Sequence, residues 1–164
     1  MRVSRRIFLL FCWDTYMPLC ILSVAQTVLF ADIAGFTAWS SAREPNQVFA
    51  LLENIYGAFD KLAHRHKVFK VETIGDCYVA VTGVPDPQQD HAVLMAKFAR
   101  ACMDKMKDLT KKLEVKLGPD TGDLELRIGI HSGQVTAGVL RGERSRFQLF
   151  GDTVNTGKSS VKRG

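Results

Sequence analysis

Cysteine is scarce and carries no pattern. Cys12, Cys20, Cys77 and Cys102 contain no C-x-x-C pair, and His64, His66, His91 and His131 have no metal-ligand spacing beside them. Structural zinc and a disulfide framework are both disfavoured. Cys77 and Cys102 read as small core residues in a reducing compartment, and His64 and His66 as solvent-facing residues near a helix end. Internal repeats and low-complexity tracts are absent. A basic body is absent too. The net charge of +5 divides into three basic and one acidic residue in 1–25 and six basic and two acidic in 141–164, which leaves 13 basic against 14 acidic between them. Nucleic-acid-binding domains carry their basic patch on the folded body, and no strand here supplies the paired aromatics of a K/R-G-F/Y-G-F/Y segment. No nucleic-acid partner is expected.

An unbroken apolar span is also missing. Residues 1–25, MRVSRRIFLLFCWDTYMPLCILSVA, begin basic and turn apolar, but Asp14 and Pro18 interrupt the run. An acidic residue near the middle of a span from Ile7 to Ala25 costs about 3 kcal/mol on insertion scales, and the proline adds a kink. Three readings compete: a signal peptide ending at SVA, a membrane-associated segment, and an extension outside the fold or an artefact of where the reading frame opens. The third is preferred. It leaves 26–164 as one domain in the cytoplasm, with membrane association through the first segment as the alternative.

What is present alternates between strand and helix patterns. TVLFAD is a short apolar strand ending at Asp32, and AGFTAWSS after it reads as a glycine-containing loop. A helix from about Asn46 to His66 carries the stripe Val48, Leu52, Ile55, Phe59, Ala63. VFKVETIGDCYVAVTG is a hairpin turning at Gly75 and Asp76. A second helix, about His91 to Leu117, carries Leu94, Phe98, Ala101, Leu109 and Leu113. LELRIGIHSG and QVTAGVL read as two further strands, and another helix is expected after GDTVN. The order is β-α-β-β-α-β, an α+β, ferredoxin-like antiparallel sheet with helices on one face.

In that layout Asp32 ends the first strand and Asp76 occupies the turn of a neighbouring hairpin, so the two carboxylates converge. Asp is depleted in strands and seldom buried without a partner. Two hard oxygen donors at one end of a sheet suit Mg²⁺, completed by substrate phosphates and water. The loop IAGFT, with Gly35, Phe36 and Thr37, offers small residues and free backbone N–H groups for phosphate oxygens.

Taken together, VLFADIAGFT, FKVETIGDCYVAVTG, LRIGIHSGQVTAGV and FGDTVN resemble, in order, the signature segments of the class III nucleotidyl cyclases, the family that makes cyclic AMP and cyclic GMP. The resemblance covers residues 27 to about 156. It implies that Asp32 and Asp76 hold two Mg²⁺ or Mn²⁺ ions, with the backbone carbonyl of Ile33 as a further ligand, for in-line attack of the ribose 3′-hydroxyl on the α-phosphorus and release of pyrophosphate. It also implies a homodimer, or a heterodimer with another cyclase chain, because metal and base sites come from different chains. The family's base-reading position falls on Glu72, as in guanylate cyclases. An ionised glutamate only accepts, and guanine presents N1–H and the 2-amino group, so GTP is favoured over ATP. The second base-reading position falls on Gln148, whose amide suits either purine.

The resemblance breaks at the end of the chain. Where the family continues VNTASRME, this sequence reads VNTGKSSVKRG. Asn155, the ribose-orienting residue, is kept; the transition-state arginine position is Ser159, and Lys158, Lys162 and Arg163 are the nearby basic residues. The closing strands, with the lysine that grips the triphosphate, are missing, so the domain reads as one cut short. Two alternatives stand beside a guanylate cyclase: an adenylate cyclase using ATP, and a catalytically inactive module that dimerises with a complete partner.

Overall fold

The computed structural model describes residues 24–84, 86–140 and 146–162. The segment 1–23, on which the signal, membrane and extension readings turn, lies outside them. Five strands, β1 (Val24–Ala34), β2 (Phe69–Ile74), β3 (Cys77–Thr82), β4 (Glu125–Leu140) and β5 (Arg146–Phe150), form one sheet in the order β2-β3-β1-β4-β5. Every pairing is antiparallel. The helices are α1 (Phe36–Ser41), α2 (Pro45–Arg65), α3 (His91–Leu117) and α4 (Asp152–Lys162), with a 3-10 turn at Pro119–Asp123. This is the α+β, ferredoxin-like arrangement expected from the sequence, with α4 as the further helix expected after GDTVN and β5 as an added strand. Among the described residues no helix is long and apolar enough to cross a membrane.

Alternation along β1 sends successive side chains to opposite faces. Leu29, Ala31 and Ile33 join Leu51, Ile55 and Phe59 of α2 and Met95, Phe98, Cys102 and Met106 of α3 in the larger core. Val28 and Phe30 face the other way, into a smaller core with Val79, Val81, Val135 and Val161 of α4. The two long helices thus share one face, and α4 covers the other. Glycine makes that second contact close. A Cβ on Gly129 would lie 2.5 Å from the Gly157 carbonyl oxygen and 2.9 Å from the Val161 nitrogen, and one on Gly133 would lie 2.5 Å from the Thr153 hydroxyl.

Four details depart from the sequence reading. β1 runs two residues past Asp32, so the aspartate stands within the strand rather than at its end. The supposed loop AGFTAWSS contains α1, started by Gly35 at φ 82 and held by buried Trp39. The two strands expected after Leu124 are one 16-residue strand, because the HSG stretch stays paired with β1 through Ser132↔Thr27 and Gly133↔Gln26. The buried stripe of α3 is centred on Met95, Phe98, Cys102 and Met106, with Leu94 and Ala101 only flanking it. The distal part of β4 pairs with β5 alone. Phe147 of that ribbon meets Phe69 of β2, ring centroids 5.1 Å apart, so the ribbon bends back over the α4 face toward the opposite sheet edge.

Candidate active site

The strand register builds the site. Asp32 stands opposite Cys77 on β3 and opposite Arg127 on β4, and all three belong to the face that α4 covers. Asp76 precedes Cys77 in the two-residue β2–β3 turn, where Gly75 at φ 60 supplies the conformation such a turn requires. The two carboxylates therefore converge at one end of the sheet. Burial raises the Asp76 carboxyl above the ordinary carboxylate range; the neighbouring Asp32 charge and a carboxyl–carboxyl hydrogen bond add to the rise, against the pull of its own backbone amide and of Arg127. Two neighbouring carboxylates, one of them reluctant to ionise, form a donor set that a divalent cation relieves. The residues present fit such an ion.

Arg127 is a site residue that the sequence reading did not single out. Its Nη2 donates to Asp32 Oδ2 at 2.5 Å, and its Nε is buried without a partner among the described residues. The signal was a cation set between two apolar residues, Leu126 and Ile128, in a strand that pairs with the one carrying Asp32. Burial pushes the Cys77 thiol up to about 11, with Asp32 and Asp76 adding and Lys158 of α4 opposing, which puts Lys158 within electrostatic reach of the same cluster.

The segment after Asp32 is tied down at its far end. Ile33 buries its side chain in the larger core, which leaves only its backbone to face a ligand. Trp39 Nε1 donates to Thr121 Oγ1 at 3.1 Å, Arg43 Nε donates to the Leu117 carbonyl at 3.0 Å, and Arg43 also pairs with Asp120. Gly35, Phe36 and Thr37 are held between that anchor and Asp32, at the first turn of α1, where amide N–H groups lack intrahelical acceptors.

Glu72 lies on the same face as Asp32 because of a bulge. The register shifts between Lys70 and Glu72, so Glu72 is placed opposite Val79 rather than on the α2 side with Lys70. It is solvent-exposed. Two strand spacings across and two residues along put it roughly 12 Å from Asp32. Gln148, half-buried, pairs with Gly138 between Phe147 and Leu149 and so points away from the face those two line. Among the described residues no hydrogen bond or ion pair joins Gln148 to Glu72 or to the aspartates. Asn155 is exposed on α4, and the Ser159 hydroxyl donates to the Asn155 carbonyl at 2.9 Å, turned into its own helix. Among the described residues no group of three or more His, Cys, Asp or Glu gathers as a metal centre, so any ion here rests on the carboxylate pair.

Comparison with known proteins decides the family. The model of the adenylate and guanylate cyclase catalytic domain matches residues 23–163. The chain belongs to this family. The receptor-type guanylate cyclase gcy-28 of Caenorhabditis elegans is 44% identical to it over 138 residues, which cover 84% of this chain and 10% of that protein. The chain thus spans about a tenth of the length of that curated relative. Among solved structures, the guanylate cyclase domain of RhGC from Catenaria anguillulae in complex with GTP matches with a TM-score of 0.73 and 39% identity, covering 82% of this chain and 70% of that one. The adenylyl cyclase CyaB from P. aeruginosa matches with a TM-score of 0.81 and 28% identity, covering 88% and 74%. Cyclase domains of both purine preferences therefore share this fold.

Proposed function

We propose that this cyclase-family domain converts GTP to cyclic GMP and pyrophosphate, with Asp32 and Asp76 holding two Mg²⁺ or Mn²⁺ ions. The observation that carries the reading is the convergence of those two carboxylates at one end of the sheet, where ionising both is costly. Bound there, the ions supply Lewis-acid stabilisation of phosphate charge and make the ribose 3′-hydroxyl easier to deprotonate. The chain's own groups do the rest. The Ile33 carbonyl adds an oxygen donor beside the pair, and the backbone of Gly35, Phe36 and Thr37 meets phosphate oxygens. Arg127, whose guanidinium is partly exposed beside Asp32, donates to the triphosphate. Glu72 accepts from guanine N1–H and the 2-amino group, Gln148 contributes an amide that suits either purine, and Asn155 orients the ribose.

Glu72 favours GTP because adenine would set an acceptor against its carboxylate, a mismatch of about 1 to 3 kcal/mol. The competent state is a dimer, of two copies or with another cyclase chain, in which Glu72, Gln148 and Asn155 of one chain serve the metal-binding aspartates of the other. The test is direct. The chain, alone and mixed with a complete cyclase chain, is incubated with Mn²⁺ and GTP, and cyclic GMP and pyrophosphate are quantified. Stoichiometric formation of both by the chain alone, or formation in the mixture above the complete chain's own rate that is lost when this chain carries Asp32→Ala, supports the reading; no product from the chain alone and no Asp32-dependent gain in the mixture contradicts it.

One observation favours the second reading, an inactive dimerising module. Ser159 stands where the family carries its transition-state arginine, and its hydroxyl is spent on its own helix. Loss of one such donor costs about 10²–10³ in rate. Lys158 is the nearest candidate to replace the missing charge. The same mixing experiment separates the readings, since a module changes its partner's rate while contributing no product of its own.

A further inference from the structure

We propose that the Tyr56 hydroxyl positions the Asp76 carboxylate, by fixing the peptide unit between Gly75 and Asp76 from α2, and so sets the affinity of the carboxylate pair for divalent cations. The inference rests on the metal-site reading above and adds a residue to it. Tyr56 belongs to α2, on the far side of the sheet from α4, yet its hydroxyl donates to the Gly75 carbonyl at 2.9 Å. That carbonyl and the Asp76 amide are the two ends of one planar peptide unit. The Asp76 Cα, from which the carboxylate side chain hangs, lies in that same plane. A hydrogen bond to one end of a rigid plane thereby aims the other end, and with it the carboxylate.

The turn needs such a brace. It has two residues, its glycine is exposed and occupies a left-handed conformation, and Ile74 before it is exposed as well, so little packing restrains it. The Tyr56 ring is itself fixed against Tyr78, ring centroids 5.9 Å apart, and Tyr78 is fully buried. Burial, then the neighbouring Asp76 and Asp32 carboxylates, hold the phenol protonated and able to donate across the working pH range. Tyr78 makes the natural control. Its hydroxyl donates to Asp60 Oδ1 at the same 2.9 Å, on the same helix–sheet seam but away from the turn.

The experiment titrates the full chain with Mn²⁺ alone, following free Mn²⁺ by electron paramagnetic resonance, for wild type and for Tyr56→Phe, Tyr78→Phe and Asp76→Ala, with the melting temperature of each. Wild type is expected to bind saturably and Asp76→Ala to lose that binding. Tyr56→Phe should raise the apparent Kd about threefold to tenfold, the worth of one hydrogen bond, with little change in melting temperature. Tyr78→Phe should show the reverse, a lower melting temperature and an unchanged Kd. A Kd for Tyr56→Phe equal to wild type, or equal weakening by both tyrosine variants, overturns the positioning role while leaving the metal site standing. Wild type that binds no Mn²⁺, or binds it as well without Asp76, overturns the metal-site reading and the inference with it.

Discussion

The face of the sheet under α2 and α3 is filled by large side chains, Leu29, Phe59, Tyr78, Met95 and Phe98, all fully buried, whereas the face under α4 is a smaller cluster of Phe30 and valines closed by glycines. The first face carries the apolar burial that makes the domain fold. The second leaves the Asp32 and Arg127 side chains beside a helix that approaches to backbone contact at Gly129 and Gly157, with Glu72 exposed farther across the same face. Stability and chemistry are thus divided between the two sides of one sheet. Tyr56 and the Asp76 turn join them at the sheet's end.

Substitutions that respect or violate this division test it. On the α4 face, Asp32→Ala should reduce Mn²⁺-supported cyclic GMP formation by about a thousandfold or more, with a melting temperature close to wild type, as shown by product quantification and thermal unfolding. On the other face the pattern inverts: Phe59→Ala should cost about 3–5 kcal/mol of unfolding free energy in urea, while whatever remains folded still binds Mn²⁺. Glu72→Lys should shift the GTP to ATP preference toward ATP by about tenfold to a hundredfold, read from kcat/KM for the two nucleotides, with stability unchanged because Glu72 is exposed. Gly129→Ala should destabilise by about 1–3 kcal/mol, since its Cβ meets helix backbone rather than a movable side chain; an unchanged urea midpoint would mean that α4 is not seated as described.

The smallest effect is in pH. Asp76 has a raised carboxyl in the folded chain, so between the ordinary and the raised value the folded state keeps a proton that the unfolded state has released. Metal-free stability should therefore fall as pH rises through that window. Saturating Mn²⁺ should flatten the fall, which thermal melts across acidic pH with and without the ion would reveal.

Much of this division is legible in the amino-acid sequence. The strand and helix order, the hairpin at Gly75 and Asp76, and the convergence of Asp32 with Asp76 follow from period-2 and period-3.6 patterns, because burial enforces them on both faces. The α3 stripe was misplaced by one helical step because methionine and cysteine, rather than leucine, fill its centre. The HSG stretch looked like a break between strands. Its glycines answer to the approach of α4, and no local pattern records a distant backbone. Glu72 could be named from its motif, but its face depends on the bulge after Lys70, which a strict alternation misassigns. Arg127 and Tyr56 escaped notice because their roles are defined by cross-strand register and by a hydrogen bond spanning the helix–sheet seam.

The central claim is that Asp32 and Asp76 act as one cation site, and calorimetric titration of Mn²⁺ into wild type, Asp32→Ala, Asp76→Ala and the double variant tests it most directly. A shared site predicts that either single substitution abolishes most of the binding free energy and that the double variant is scarcely worse than either single one. Losses that are modest and add independently, or a double variant that binds as wild type does, would contradict it.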